Sequence, residues 1–384
     1  MCRDCAGLGV SMRLLVISPY PPPPDGIGVH TRSLAAVWAS DGHEVHVVAR
    51  AAGGAAETAT VQDGVQVHRL LGRGLDAGAL VDAVRPEAVV VQFAIPSLTT
   101  AWPAAVAVVD SARAAGAPAL VAFHEALREL DLLGPVARRV YRAVARRTDI
   151  AVAFSSGGQH ALEEMGFADV HLLPLGVPEL AAVDDGVRAE VAARYAVSRS
   201  TLLSLGFTHP DKGVDVLVEA CGLLRRSGTD VDLLVAGATR RRRGPTRALE
   251  LIDARYDRAI RRAAERAPAV RFTGFVPDDD LPALLSSVGA LALPYRRTTQ
   301  SAVAGLALAT GLPTVASDLA GLRDTLGDSA LYTPAGDVAA LAAAVQTVLK
   351  DDAQTTLRPR AWARAQESTV ASVARTLVAL ISDR

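Results

Sequence analysis

Four short stretches of this chain carry residue types suited to holding an anion or touching a small ligand. The first is Gly206 to Gly213 (GFTHPDKG), which sets Gly206, His209 and Lys212 between a strand-like run and a helix-like run. Lysine is scarce: of 40 Lys and Arg residues, only Lys212 and Lys350 are lysine. Arginine serves a plain surface role equally well, whereas a compact ammonium suits a diphosphate better than a broad planar guanidinium. Lys350 precedes Asp351-Asp352 at a helix end and reads as an ordinary solvated cation. The second stretch is the turn Thr298-Thr299-Gln300-Ser301-Ala302, which follows the apolar run ending at Pro294. A helix is expected from Ser301 to Thr310, and its N-terminal N–H groups and partial positive charge make the turn either an anion site or a solvated crossover. The third is His124-Glu125, directly after a strand-like run, where a loop hydrogen-bonding pair and a catalytic or substrate contact are both open readings. The fourth is Gly26 and Gly28 in the loop Pro19 to Gly28. These glycines either let a ligand approach the backbone or serve a turn that needs positive φ; the third glycine of a dinucleotide fingerprint is absent.

Each stretch sits between a buried-strand run and a helical run. Arg13 to Ser18 reads as a strand, Val29 to Ser40 as a helix ended by Gly42, and Glu44 to Ala49 as the next strand. Strand-like runs recur at 88–93, 119–123, 151–154 and 170–175, with helices expected at 104–115, 133–147 and 159–165. After a polar, irregular linker at 178–186, the order resumes with strands at 202–205, 232–236, 290–294 and 314–316. The intervening helices are expected at 214–226, 281–288 and 301–310, then one ending at Leu349 and a last one from about Trp362 to Ile381. Asp278-Asp279-Asp280 precedes the 281–288 run and reads as helix capping rather than metal binding. The pattern predicts an α/β chain of two doubly wound domains whose strand ends face a central cleft.

Composition narrows the function. The 384 residues exceed what one core accommodates. A formal net charge of −1 argues against a protein devoted to a nucleic-acid backbone. No apolar run of about 18 residues occurs, so no membrane span is expected. Cys2 and Cys5 form a CxxC without a second pair or a His cluster, which excludes a disulfide framework and fits a reducing cytoplasm. Because the first strand starts right after Met12, that methionine is expected to be the biological start. Arg240 to Arg243 reads as a solvated loop first and an anion contact second. The helix at 133–147 carries Arg138, Arg139, Arg142, Arg146 and Arg147, a basic face that is either solvated or a peripheral membrane contact.

Taken in order, MRLLVISPYPPPPDGIGVHT, VAFHE, HLLPLGV, LSLGFTHPDKGVDVLVEA, VRFTGFVPDDDLPALLSSV, GLALATGLPTVAS with LRD, and TPAGDVAALAAAV resemble the retaining sugar-nucleotide glycosyltransferases of glycosyltransferase family 4. The resemblance covers nearly the whole chain from Met12. It implies the GT-B fold, two Rossmann-like domains facing a cleft. Residues 12–180 would bind the acceptor, 187–360 the nucleotide sugar, and the helix at 361–384 would cross back to the first domain. By the same resemblance, Gly28 lies beside the donor phosphates, His124 near the transferred sugar and Lys212 on the diphosphate; Gly26 stands in the same loop as Gly28, and Glu125, the nearest carboxylate, is read as an acceptor-side or a structural group. Gly206, His209 and the turn from Thr298 to Ala302 would complete the donor site.

Two departures stand out. The family's arginine after the glycine at position 206 is Phe207 here, and its two glutamates fall at Thr298 and Leu306. The chain resembles a branch with a TQS-like turn instead. The expected reaction is sugar transfer from a nucleoside diphosphate sugar to an acceptor with retention, Lys212 and helix N-termini stabilising the departing diphosphate. No further cofactor and no metal ligand set is expected. A sugar-nucleotide epimerase of the same fold, or a binding-only pseudoenzyme, remains open.

Overall fold

The computed structural model describes residues 11–22, 25–50, 57–72, 74–98, 101–229, 231–239, 248–265 and 269–384. Cys2, Cys5, Pro23, Pro24 and the run Arg240 to Arg243 lie outside them. The chain divides into two compact units, residues 1–176 with 370–384, and residues 177–369.

In the first unit the strands are β1 (Arg13–Ile17), β2 (Glu44–Arg50), β3 (Glu57–Gln62), β4 (Val65–Leu71), β5 (Ala88–Phe93), β6 (Ala119–Phe123), β7 (Ile150–Ala153) and β8 (Val170–Leu172). They form one sheet in the order β3-β4-β2-β1-β5-β6-β7-β8, parallel except for the antiparallel edge strand β3. The β3–β4 hairpin has no counterpart in the sequence reading. Helices α1 (Gly26–Ser40), α2 (Ala77–Val84), α3 (Ile95–Leu98), α4 (Trp102–Ala114), α5 (Ala126–Leu133), α6 (Pro135–Ala145) and α7 (Ser156–Glu164) connect the strands. Side chains alternate across the sheet. Leu15 and Ile17 face a core built with α2, α4, α6 and α7, while Leu14 and Val16 face α1.

The second unit holds α8 (Asp185–Tyr195), β9 (Thr201–Leu205), α9 (Val214–Arg226), β10 (Asp232–Ala236), α10 (Ala248–Ala264), β11 (Val270–Gly274), α11 (Leu281–Ser287), β12 (Ala290–Leu293), α12 (Ala302–Ala309), β13 (Thr314–Ser317), α13 (Ala320–Leu326), β14 (Ala330–Thr333), α14 (Val338–Val348) and α15 (Asp351–Glu367). Its all-parallel sheet runs β11-β10-β9-β12-β13-β14. Leu202 and Leu203, adjacent on β9, enter different cores, one under α9, α10 and α14 and the other under α11 to α13 and α15. The last helix, α16 (Val370–Ser382), returns to the first unit. There it buries Val370, Val373, Ala374, Leu377 and Ile381 with Leu34 and Trp38 of α1.

Several local readings need correction. Gly26 and Gly28 lie within the first turn of α1, and neither is among the positive-φ residues. The helix expected at 133–147 is α6, running from Pro135 to Ala145, and Gly134 (φ +49) separates it from α5, a helix that the sequence reading did not include. The final helix is two, because Val177 N–H donates to Ser368 O at 2.7 Å and Val177 bridges Thr369, which takes that backbone out of helix. Asp278 to Asp280 form a 3-10 turn without a side-chain cap. Asp280 instead accepts hydrogen bonds from Arg194 (2.9 and 3.0 Å) and Tyr195 (2.7 Å), fastening α8 to the start of α11.

Candidate active site

In a doubly wound sheet, ligands bind at the carboxyl ends of the strands where the strand order reverses. In the second unit that point lies between β9 and β12, because β9 runs on to β10 and β12 to β13. The loops leaving these two strands are Gly206 to Gly213 and Pro294 to Ser301, the two stretches singled out above.

They are fastened to each other. The Arg296 N–H donates to Asp211 O at 2.8 Å, and its guanidinium grips Asp215 of α9 at 2.6 and 2.8 Å and Pro210 O at 2.9 Å. Burial alone would raise the Asp215 carboxyl, but hydrogen bonds from Arg296 and Tyr256 outweigh it and hold it below the usual carboxylate range. Arg297 pairs with Asp211 at 3.1 Å. Gly213 (φ +63) packs so closely that an added Cβ would stand 1.9 Å from Pro294 O. Gly206 (φ +113) lies beside the first turn of α12, with its Cβ position 3.7 Å from Val303 Cγ2.

Lys212 ends a 3-10 turn from Pro210, and its Nζ stands 3.7 Å above the centre of the Tyr295 ring. Among the described residues it has no ion-pair partner, while neighbouring Arg296 and Arg297 are both paired. His209 Nδ1 is 3.9 Å from Asp211. Thr208 is buried, and among the described residues its Oγ1 has no hydrogen-bond partner. At the second loop, Ser301 caps α12 through Ala304 N–H at 3.3 Å, and Thr298 Oγ1 donates to Gln300 O at 2.7 Å. Thr299 is buried, its carbonyl set against Gly321 of α13, and Gln300 is half-buried. In the first turn of α12, the Ala304 and Gly305 N–H groups donate to Ser301 O at 3.1 and 3.4 Å, and those of Ala302 and Val303 stand ahead of the helix's own hydrogen bonds. The arrangement is an unpaired cation beside a helix N-terminus, chemistry suited to an anionic oxygen cluster.

The first unit holds a separate cluster. His124 is buried after β6, and its Nε2 lies 2.7 Å from Gln92 Oε1 of β5. His30 of α1 packs edge-on against it, ring centroids 5.6 Å apart, and both rings touch Phe154. Burial pushes the His30 imidazole down to about 4. Burial, and secondarily His30, hold His124 well below the ordinary value, so both rings are neutral at pH 7. Neutral His124 is a hydrogen-bonding group rather than a proton donor. Glu125 occupies the N-cap position of α5 without a side-chain cap bond. The N-terminus of α1 already has an anion: the Asp25 carboxylate accepts from Ile27 N–H (2.9 Å) and Gly28 N–H (3.1 Å). Gly28 allows close packing instead, since an added Cβ would stand 3.3 Å from the Pro19 carbonyl.

Known proteins are similar to this chain in sequence and in fold. Residues 24–179 match the family Glycosyltransferase Family 4, and residues 199–351 match Glycosyl transferases group 1. The glycogen synthase of Mycobacterium tuberculosis is 29% identical over 91% of this chain and 89% of its own. The GDP-mannose-dependent alpha-(1-6)-phosphatidylinositol monomannoside mannosyltransferase of the same organism is 31% identical over 50% of each. Anabaena HepE, solved in complex with UDP-glucose, superposes with a TM-score of 0.74 at 17% identity, covering 97% of this chain and 100% of HepE. The chain is a glycosyltransferase with the GT-B fold.

In this glycosyltransferase the second unit brings Gly206, His209, Lys212 and the turn Thr298 to Ala302 into one neighbourhood. Gly26 and Gly28 belong to the other unit, where Gly28 donates its N–H to Asp25 and packs against the Pro19 carbonyl. Of the two positions where glutamates were expected, Leu306 packs on the core and Thr298 bonds within its own turn. Sequence reasoning missed Tyr295, Arg296, Thr208 and His30. Among the described residues, no group of three His, Cys, Asp or Glu is placed to hold a metal ion, and no helix is long and apolar enough to cross a membrane.

Proposed function

We propose that the enzyme transfers a sugar from a nucleoside diphosphate sugar to an acceptor hydroxyl with retention at the anomeric carbon. The observation that carries this reading is Lys212, a cation without a carboxylate, held on Tyr295 beside the N-terminus of α12. As the bond from the anomeric carbon to the diphosphate oxygen breaks, negative charge grows on the leaving group. Lys212 and the α12 N–H groups are proposed to stabilise it. His209 and Thr208 stand in the same loop as further donors. His124, neutral and buried, is proposed to orient the transferred sugar by hydrogen bonding, with Glu125 toward the acceptor. The mannosyltransferase relative is named for a GDP-mannose donor and HepE was solved with UDP-glucose, which supports a nucleotide-sugar donor here.

The test is a thermal-shift panel of UDP, GDP, ADP and their sugars, because a specific donor must raise the unfolding temperature. At least one nucleoside diphosphate is expected to do so in the wild type and to lose the effect in Lys212→Ala. No shift from any of them would sink the reading. Retention is checked by the anomeric configuration of the product in NMR. Because Lys212 and α12 supply the positive charge, turnover is expected to survive EDTA.

A further inference from the structure

Tyr295 stands where sequence reasoning saw only a polar turn, yet it touches both halves of the donor site. Its side chain is 2% exposed and packs in the core with Leu293, Ala304 and Leu308. One ring face lies 3.7 Å under the Lys212 ammonium. Its hydroxyl reaches 3.4 Å from the Ser301 Oγ that caps α12. A lysine side chain has four rotatable bonds and, left in solvent, samples many positions. A π-face holds an ammonium without neutralising it, whereas a carboxylate would hold it and cancel its charge. The neighbouring arginines show the contrast, because Arg296 and Arg297 are bound to Asp215 and Asp211.

We propose that Tyr295 is a positioning residue: its ring fixes the Lys212 ammonium, charge undiminished, at a set place beside the α12 N-terminus. The inference rests on the donor-site reading above. It names what replaces an ion pair in holding the lysine.

Lysine scarcity makes the test direct. Protein labelled with 13C at lysine Cε carries two labelled side chains, Lys212 and Lys350. One Cε–Hε signal, from Lys212, is expected upfield of the other because of the Tyr295 ring current, and Lys212→Arg assigns it by its loss. Tyr295→Phe keeps the upfield position and Tyr295→Leu abolishes it. In parallel, calorimetry compares UDP and GDP with UMP and GMP. Tyr295→Leu is expected to weaken the diphosphate about three- to thirty-fold, on the scale of a cation–π contact, and the monophosphate less. Tyr295→Phe should restore diphosphate affinity. Equal loss for both nucleotides, no recovery with phenylalanine, or two coincident lysine signals in the wild type would reduce Tyr295 to a core residue. If Lys212→Ala leaves diphosphate affinity intact, the donor-site reading itself falls, whatever Tyr295→Leu does.

Discussion

Lys212 carries charge at a place where its neighbours have spent theirs. Replacing it by arginine keeps the charge but puts a planar fork where a compact ammonium rests on Tyr295. Steady-state kinetics of Lys212→Arg are therefore expected to show a severe loss of turnover, with Lys212→Ala worse. The alanine loss should be on the order of 2–4 kcal/mol of transition-state stabilisation. Lys350→Arg, at the N-cap position of α15, should be silent. Near-normal turnover by Lys212→Ala would remove the centre of the mechanism. His30 and His124 give a pH effect whose sign follows from their direction. Each binds its proton less readily folded than unfolded. The unfolded chain thus takes up more protons as pH falls below the ordinary value near 6.5, and stability drops until pH nears 4, where His30 also titrates. Urea unfolding at pH 7.5 and pH 5 should show the loss, and His30→Gln should shrink it. Lys212 was legible because a rare residue type stood in a glycine-bounded turn. Tyr295 and His30 were not, since an aromatic in a turn or a histidine on a helix reveals nothing until another element packs against it.

At the scale of elements, the proposed donor site depends on two loops locked together by the Arg296 and Arg297 contacts and by the close packing of Gly213 on Pro294. Gly213 takes φ +63 and lies against Pro294 O, so Gly213→Ala must push the α9 and α12 sides apart. Loss of nucleoside diphosphate binding together with a lowered unfolding temperature is expected. Retained binding would show that the two loops act independently. Ser301→Pro is expected to abolish donor binding, because Ser301 sits at φ −144 and proline requires about −65. Ser301→Ala removes a cap worth about 1 kcal/mol of stability and should leave donor affinity nearly unchanged. Most strand positions were legible, since buried parallel strands are short apolar runs bounded by turn residues. The ends of helices were less so. The start expected at Leu133 overran Gly134-Pro135, where α6 begins, and the break at Ser368 depends on Val177, 191 positions earlier in the chain. Asp280 likewise resembled a cap until α8 supplied Arg194 and Tyr195.

For the whole molecule, the decisive feature is that the first unit is completed only by the end of the chain. The two chain crossings between units lie side by side: Val177 bridges Thr369, and Gly176 (φ +93) packs under Val370, where a Cβ would stand 3.0 Å from its Cα. From there α16 covers the sheet face presented by Leu14 and Val16 and receives the Trp38 indole N–H on Ala374 O at 2.8 Å. Four of its buried side chains, Val370, Val373, Leu377 and Ile381, together contribute on the order of 6–10 kcal/mol by apolar burial. That is comparable with the entire stability of a domain. The two cores of the second unit, as far as the described residues go, are built from residues between Val177 and Ala365. A chain ending after Thr369 is therefore expected to lose cooperative unfolding of the first unit in calorimetry while the second keeps its transition. A nucleoside diphosphate that stabilises the full chain should still raise the remaining transition, because Lys212, Tyr295 and α12 stay in place. Loss of both transitions would mean that the second unit, too, depends on α16.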